Sequence, residues 1–131
     1  TKILPYSVRI SKIRNTIPNI SNASLRTLSR SRFRLGDYNY AQGVSQELAW
    51  NESRIDLWTR GLIPICSSSE FLNQYTWPSD AKEFLQKAYG RELTNVDESV
   101  ISQIDTLDAS NLEKIEALCL VTLASMEFVG Q

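Results

Sequence analysis

Four arginines fall within ten positions of the stretch LRTLSRSRFR: Arg26, Arg30, Arg32 and Arg34. Drawn on a helix, Arg26, Arg30 and Arg34 stand at i, i+4 and i+8 and form one ridge about 12 Å long. Such a ridge can bind successive phosphates, with Phe33, Tyr38 or Tyr40 stacking on bases. Arginine mixed with aromatic residues is equally the composition enriched at protein–protein interfaces. A solvated face with no partner is the third reading. Arg14, upstream in the same basic segment, completes the candidate binding set of Arg14, Arg26, Arg30, Arg32, Phe33 and Arg34.

Other chemistry is sparse. The chain has no histidine, the usual general base near neutral pH and the commonest metal ligand. Its five glycines are dispersed, so no phosphate-cradling loop is expected. Asp97 with Glu98, and Asp105 with Asp108, could in principle transfer protons, but adjacent acids at helix starts are far more often caps. A metal site would need carboxylates alone, and no calcium-loop spacing is present. These features predict no enzyme, no cofactor and no metal. Cys66 and Cys119 lie in apolar contexts, IPICSSS and ALCLVTL, and read as buried free thiols. Asn19-Ile20-Ser21, Asn22-Ala23-Ser24 and Asn51-Glu52-Ser53 match the glycosylation pattern, one short enough to recur by chance.

Charge is distributed unevenly along the 131 residues. Residues 1–36 carry +8 with no acid, and residues 37–131 carry −9, although the whole chain sums to −1. A split of this kind suggests a basic interaction head on an acidic body. The alternative is that the head folds back and neutralises the body. No apolar run reaches the roughly 18–20 residues of a membrane span, and no signal peptide is visible, so a cytoplasmic location is expected.

The elements that would position these groups are predominantly helical. Residues 1–21 read as an irregular or extended arm, with Pro18 blocking helix continuation. Ser21 or Asn22 could cap a short helix over residues 23–33, stopped by Gly36. From residue 41, Val44, Leu48, Ile55, Trp58 and Leu62 follow a helical stripe, with Gly61 before Pro64 marking its end. Ser67 with Glu70 and Ser110 with Glu113 fit capping boxes. Ser79 and Thr94 are candidate caps of two further helices, the first stopping at Gly90. The apolar run over 111–129 predicts the central helix, burying Leu112, Ile115, Leu118, Cys119 and Leu123. The expected fold is all-α: a compact multi-helix domain over 37–131 behind a basic arm over 1–36.

A short pattern recurs within the body. Ser68-Ser69-Glu70-Phe71 is echoed by Ser125-Met126-Glu127-Phe128, 57 positions on. This suggests related units over 41–75 and 79–131, with Phe71 and Phe128 as equivalent anchors. The second unit, with Tyr89, Gly90-Arg91-Glu92, Asp97 and the terminal Ser125-x-Glu127-Phe128, resembles the bacterial helical repeat domains of unknown function related to phycobilisome linker domains. The resemblance implies a non-enzymatic assembly or docking module. Together with the basic head it predicts a scaffold or linker-like module for a partner protein with an acidic surface. A nucleic-acid-binding regulator using the Arg26/Arg30/Arg34 ridge is the alternative. The overall pI near 5.5 weighs against it, because the acidic body repels phosphate at long range.

Overall fold

The computed structural model describes residues 3–36 and 50–130. Among them the fold is all-α, with eight helices and one isolated bridge, Ile3 to Gly130. The helices are α1 (Tyr6–Thr16), α2 (Arg26–Arg30), α3 (Glu52–Cys66), α4 (Ser69–Gln74), α5 (Ala81–Tyr89), α6 (Asn95–Asp105), α7 (Asn111–Leu123) and α8 (Met126–Val129). No helix of the described residues is long and apolar enough to cross a membrane.

The segment expected to be an irregular arm is a helix built into the core. Pro5 precedes it, and its φ of −53° leads into α1. Tyr6, Arg9, Ile13 and Thr16 then make a buried stripe at steps of three and four. This periodicity is visible in the sequence only if an arginine is admitted to the apolar face. The helix ends at Thr16, two residues before Pro18, whose ring disfavours helical backbone in the residue ahead of it. α1 packs on α5. The Tyr75 hydroxyl donates to the Thr16 carbonyl at 2.6 Å, and the Leu4 N–H donates to the Val129 carbonyl at 2.8 Å. The N-terminal segment is therefore part of the same packed unit as the last helix.

α3 starts at Asn51, whose side chain accepts from the Arg54 N–H. It runs through both Gly61 and Pro64 rather than stopping there. Gly61 serves a close approach: a Cβ at that position would lie 2.1 Å from Leu28 Cδ2, so α2 can cross α3 only over a residue without a side chain. The expected stripe over residues 41–49 lies outside the described residues. α7 lies at the centre, in contact with α3, α4, α5, α6 and α8. Ile115, Leu118, Cys119 and Leu123 are buried as expected, whereas Leu112, in the first turn ahead of the crossing helices, is 55% exposed. The run expected to reach residue 129 breaks at Ala124–Ser125, where Ser125 caps the separate α8.

The caps divide in the same way. Thr94 with Asp97 and Ser110 with Glu113 form full capping boxes. Ser67 with Glu70 does not: Ser68 caps α4, and the Glu70 carboxylate turns to the Ser21 N–H at 3.0 Å and the Ser24 hydroxyl at 3.1 Å. α5 begins after Asp80 with no side-chain cap, not at Ser79, and stops at Gly90 in the left-handed region, φ +66°.

The two cysteines are joined. Cys66 at the end of α3 and Cys119 in α7 form a disulfide, with Cα atoms 5.6 Å apart and both residues buried. The expectation of free thiols fails because 53 residues separate the pair, and only the packing of α3 on α7 brings them together. The same core holds a cluster of Phe71, Tyr75 and Phe84, whose ring centroids are 5.1–5.5 Å apart.

Candidate functional site

The arginine-bearing segment is held by three leucines. Leu25, Leu28 and Leu35 are buried, and the side chains between them face outwards. The spacing of these anchors explains why α2 ends at Arg30. A longer helix would place the next apolar contact at position 32, one turn after Leu28, and an arginine stands there. The chain instead proceeds by successive turns. Leu35 N–H donates to the Ser31 and Arg32 carbonyls, and Gly36, at φ +101°, donates to Phe33. The continuous 12 Å helical ridge is accordingly replaced by two arginines one turn apart on α2, Arg26 and Arg30, and by Arg32 and Arg34 on the turns that follow.

Arg26, Arg30, Arg32, Phe33 and Arg34 are all exposed. Arg32 lies over the Phe33 ring at 4.9 Å, which keeps a large aromatic face at the surface against a cation. The Arg34 carbonyl accepts from Arg54 Nε at 3.0 Å, tying the turn to α3 while the Arg34 side chain remains outside. Arg14, exposed in the last turn of α1, donates to Asn22 Oδ1 at 3.2 Å. That bond places it four residues ahead of Arg26, at the start of the same segment. All six candidate residues thus lie on the described surface.

The ion pairs separate this surface from the body. Among the described residues, Asp56–Arg60, Glu83–Lys87, Glu98–Lys82 and Asp105–Lys114 pair the body's own charges, and Arg91 bridges Asp97 and Glu127. None of these pairs takes Arg14, Arg26, Arg30 or Arg34. The basic head does fold back onto the acidic body, but through apolar packing and backbone bonds. Lys12 comes close to an acid of the body. It donates to the Phe128 carbonyl, with Glu127 close enough to favour its charge, while burial lowers its pKa.

Three features escaped sequence reasoning. Arg9 is fully buried. Its guanidinium donates to the Leu4 and Leu35 carbonyls and lies between Tyr6, Trp50 and Trp58, at 5.9, 5.1 and 4.7 Å from their rings. Burial pulls it down to about 10, partly opposed by Tyr6. Its position in the Tyr6–Ile13 stripe was the available signal. Arg91 clasps the start of α6 to α8, donating to Asp97 at 2.6 Å and Glu127 at 2.7 Å. Those bonds raise the Arg91 pKa and hold Asp97 below the usual carboxylate range. Asp97 is therefore a cap and an ion-pair partner at once. Glu70 is the third. Hydrogen bonding from Ser21 and from its own backbone N–H holds its carboxyl at about 2, and it staples the turn ahead of α2 to α4.

The two Ser-x-Glu-Phe segments share local geometry. Ser68 and Ser125 each accept from the N–H of the phenylalanine three residues on, and each donates to the carbonyl three residues back. Phe71 and Phe128 are both fully buried. The glutamates part company, Glu70 going to Ser21 and Ser24, Glu127 to Arg91. Comparison of the chain with protein-family models, with curated proteins and with solved structures finds no match in any of the three.

Proposed function

We propose that this chain is a non-enzymatic protein–protein interaction module, scaffold or linker-like, that docks an acidic partner surface on Arg14, Arg26, Arg30, Arg32, Phe33 and Arg34. The observation that carries the reading is the exposure of Arg26, Arg30 and Arg34 without an ion pair among the described residues, on a segment whose leucines are fixed in the core. Exposed arginines on a rigid base lose less conformational freedom on binding than the same residues on a loose tail. The exposed Phe33 adds the aromatic component that interface cores favour. The resemblance of residues 79–131 to linker-type domains agrees with a docking role. A phosphate-binding role remains the competing outcome of the test.

The disulfide bears on where such docking takes place. Cytosolic thiols are kept reduced, and buried structural disulfides belong to oxidising compartments. Cys66–Cys119 therefore favours an oxidising compartment over the cytoplasmic location expected from the sequence.

The test is capture of partners from the native source by the intact chain and by an Arg26/Arg30/Arg34→Ala variant. Removing residues 1–36 is the wrong comparison, because it strips Ile13, Ile17 and Leu28 from the core. Loss of capture by a folded variant supports the reading, and undiminished capture refutes it.

A further inference from the structure

The asparagines divide cleanly by environment. Asn19, Asn22 and Asn51 each precede a serine by two positions, and all three are exposed and outside helices. Asn19 lies in the turn after α1, Asn22 in the loop before α2, and Asn51 at the cap of α3. Asn15, Asn73, Asn95 and Asn111 all fall within helix bounds, and none has serine or threonine two residues on. Among the described residues, the pattern and the accessible non-helical position coincide without exception.

The hydrogen bonds add a second point. Where these asparagine side chains have a structural task, the oxygen performs it. Asn51 Oδ1 accepts from the Arg54 N–H at 3.0 Å, and Asn22 Oδ1 accepts from Arg14 Nη2 at 3.2 Å. The amide nitrogen is thus available for substitution without disturbing the cap or the α1 contact. The third point is independent of both. A buried disulfide joins α3 to α7, and disulfides of this kind form in the same oxidising compartment in which asparagine-linked sugars are added.

We propose that Asn19, Asn22 and Asn51 are acceptor sites for N-linked oligosaccharide. The donor is of the lipid-linked oligosaccharyl pyrophosphate class. A bond forms between asparagine Nδ2 and the sugar C1, and the C1–oxygen bond to pyrophosphate breaks, the electron pair leaving with the lipid pyrophosphate. The amide gives up one proton to a base on the transferase, and nothing is oxidised or reduced. Asn19 and Asn22 are three residues apart, so one glycan at this pair and one at Asn51 is the expected occupancy. The glycan at the pair stands beside Arg14 and flanks the arginine surface on its N-terminal side.

The experiment uses protein purified from its native source, measured by intact mass before and after peptide N-glycosidase, with peptide mapping of the released sites. The expected result is a loss of mass on treatment, with aspartate replacing asparagine at position 51 and at position 19 or 22. Ser53→Ala removes the pattern at Asn51 and keeps its cap. That variant, secreted from the same cells, is expected to lose one glycan and remain folded, and Asn19→Gln with Asn22→Gln to lose the other. Modification at any of the three positions that its variant abolishes supports the proposal. Unmodified asparagine at all three, or a mass shift resistant to the enzyme and unchanged in the variants, overturns it.

Discussion

Leu28 rests directly on Gly61: the space a Cβ would occupy on Gly61 is taken by Leu28 Cδ2 at 2.1 Å and Cγ at 2.6 Å. This contact seats α2, and with it the arginine surface, on α3. Leu28 is fully buried. Gly61→Ala gains helix propensity of about 1 kcal/mol but overpacks the crossing at a cost of about 1–3 kcal/mol. The expected outcome is a lower denaturant midpoint, together with faster amide exchange in α2. An unchanged midpoint and unchanged exchange would show that the crossing tolerates a methyl group.

The disulfide closes a loop spanning 53 residues of sequence separation and joins α3 to the central helix α7. A loop of this size corresponds to about 4 kcal/mol on the chain-entropy account, with about 2–4 kcal/mol typically realised. Cys66→Ala with Cys119→Ala is expected to lose stability in that range in urea unfolding. Equal stability of the wild type with and without reductant would count against a structural role for the bond.

The stability of the fold at low pH depends on Glu70. Its folded carboxyl is held at about 2, against an ordinary value of 4.5. Between those values the unfolded chain binds the extra proton, so the contribution is fully present above about pH 4.5 and disappears as pH falls towards 2. Glu70→Gln is expected to flatten the acid limb of the stability–pH curve in that window and to leave the slope near neutrality unaltered. Thermal unfolding across pH 2–6 provides the readout; parallel curves for both proteins would remove Glu70 from the account.

Ser68 and Ser125 cap in the same way, and Phe71 and Phe128 are each at 0% exposure. Phe71→Ala and Phe128→Ala are each expected to cost about 3–5 kcal/mol. Comparable losses, with the backbone of 50–73 superposing on that of 107–130 so that the two phenylalanines align, would establish the internal repeat. A small loss at one of them, or failure to align, would make the shared segment an accident of two helix ends.

The all-α class, the starts of α6 and α7 and the stop of α5 were legible because they rest on local chemistry: Thr94 with Asp97, Ser110 with Glu113, and Gly90 in the left-handed region. What escaped depends on contacts between distant residues. α1 was hidden by Arg9, whose buried Nε and Nη2 donate to carbonyls at Leu4 and Leu35 that no periodicity reveals. Gly61 and Pro64 looked like a helix end, because a lone glycine gives no indication that Leu28 will pack on it. The Cys66–Cys119 pairing follows from the packing of α3 on α7, and Glu70 left its expected capping box for Ser21, 49 residues away. The arginine surface was legible as a set of residues but not as a shape, since the helix ends where Arg32 replaces an apolar anchor.

The docking account rests most directly on Arg26, Arg30 and Arg34, and one paired measurement tests it. The intact chain and its Arg26/Arg30/Arg34→Ala variant are compared for partner capture from the native source and for binding to duplex and single-stranded oligonucleotides near physiological salt. The substituted side chains are exposed, so the variant is expected to unfold at the same temperature as the wild type. The account predicts that neither protein binds the oligonucleotides and that the variant loses its partner. Micromolar or tighter oligonucleotide binding by the wild type, lost in the variant, would contradict it and assign the arginines to phosphate; a variant that keeps its partner would show them to be a solvated face.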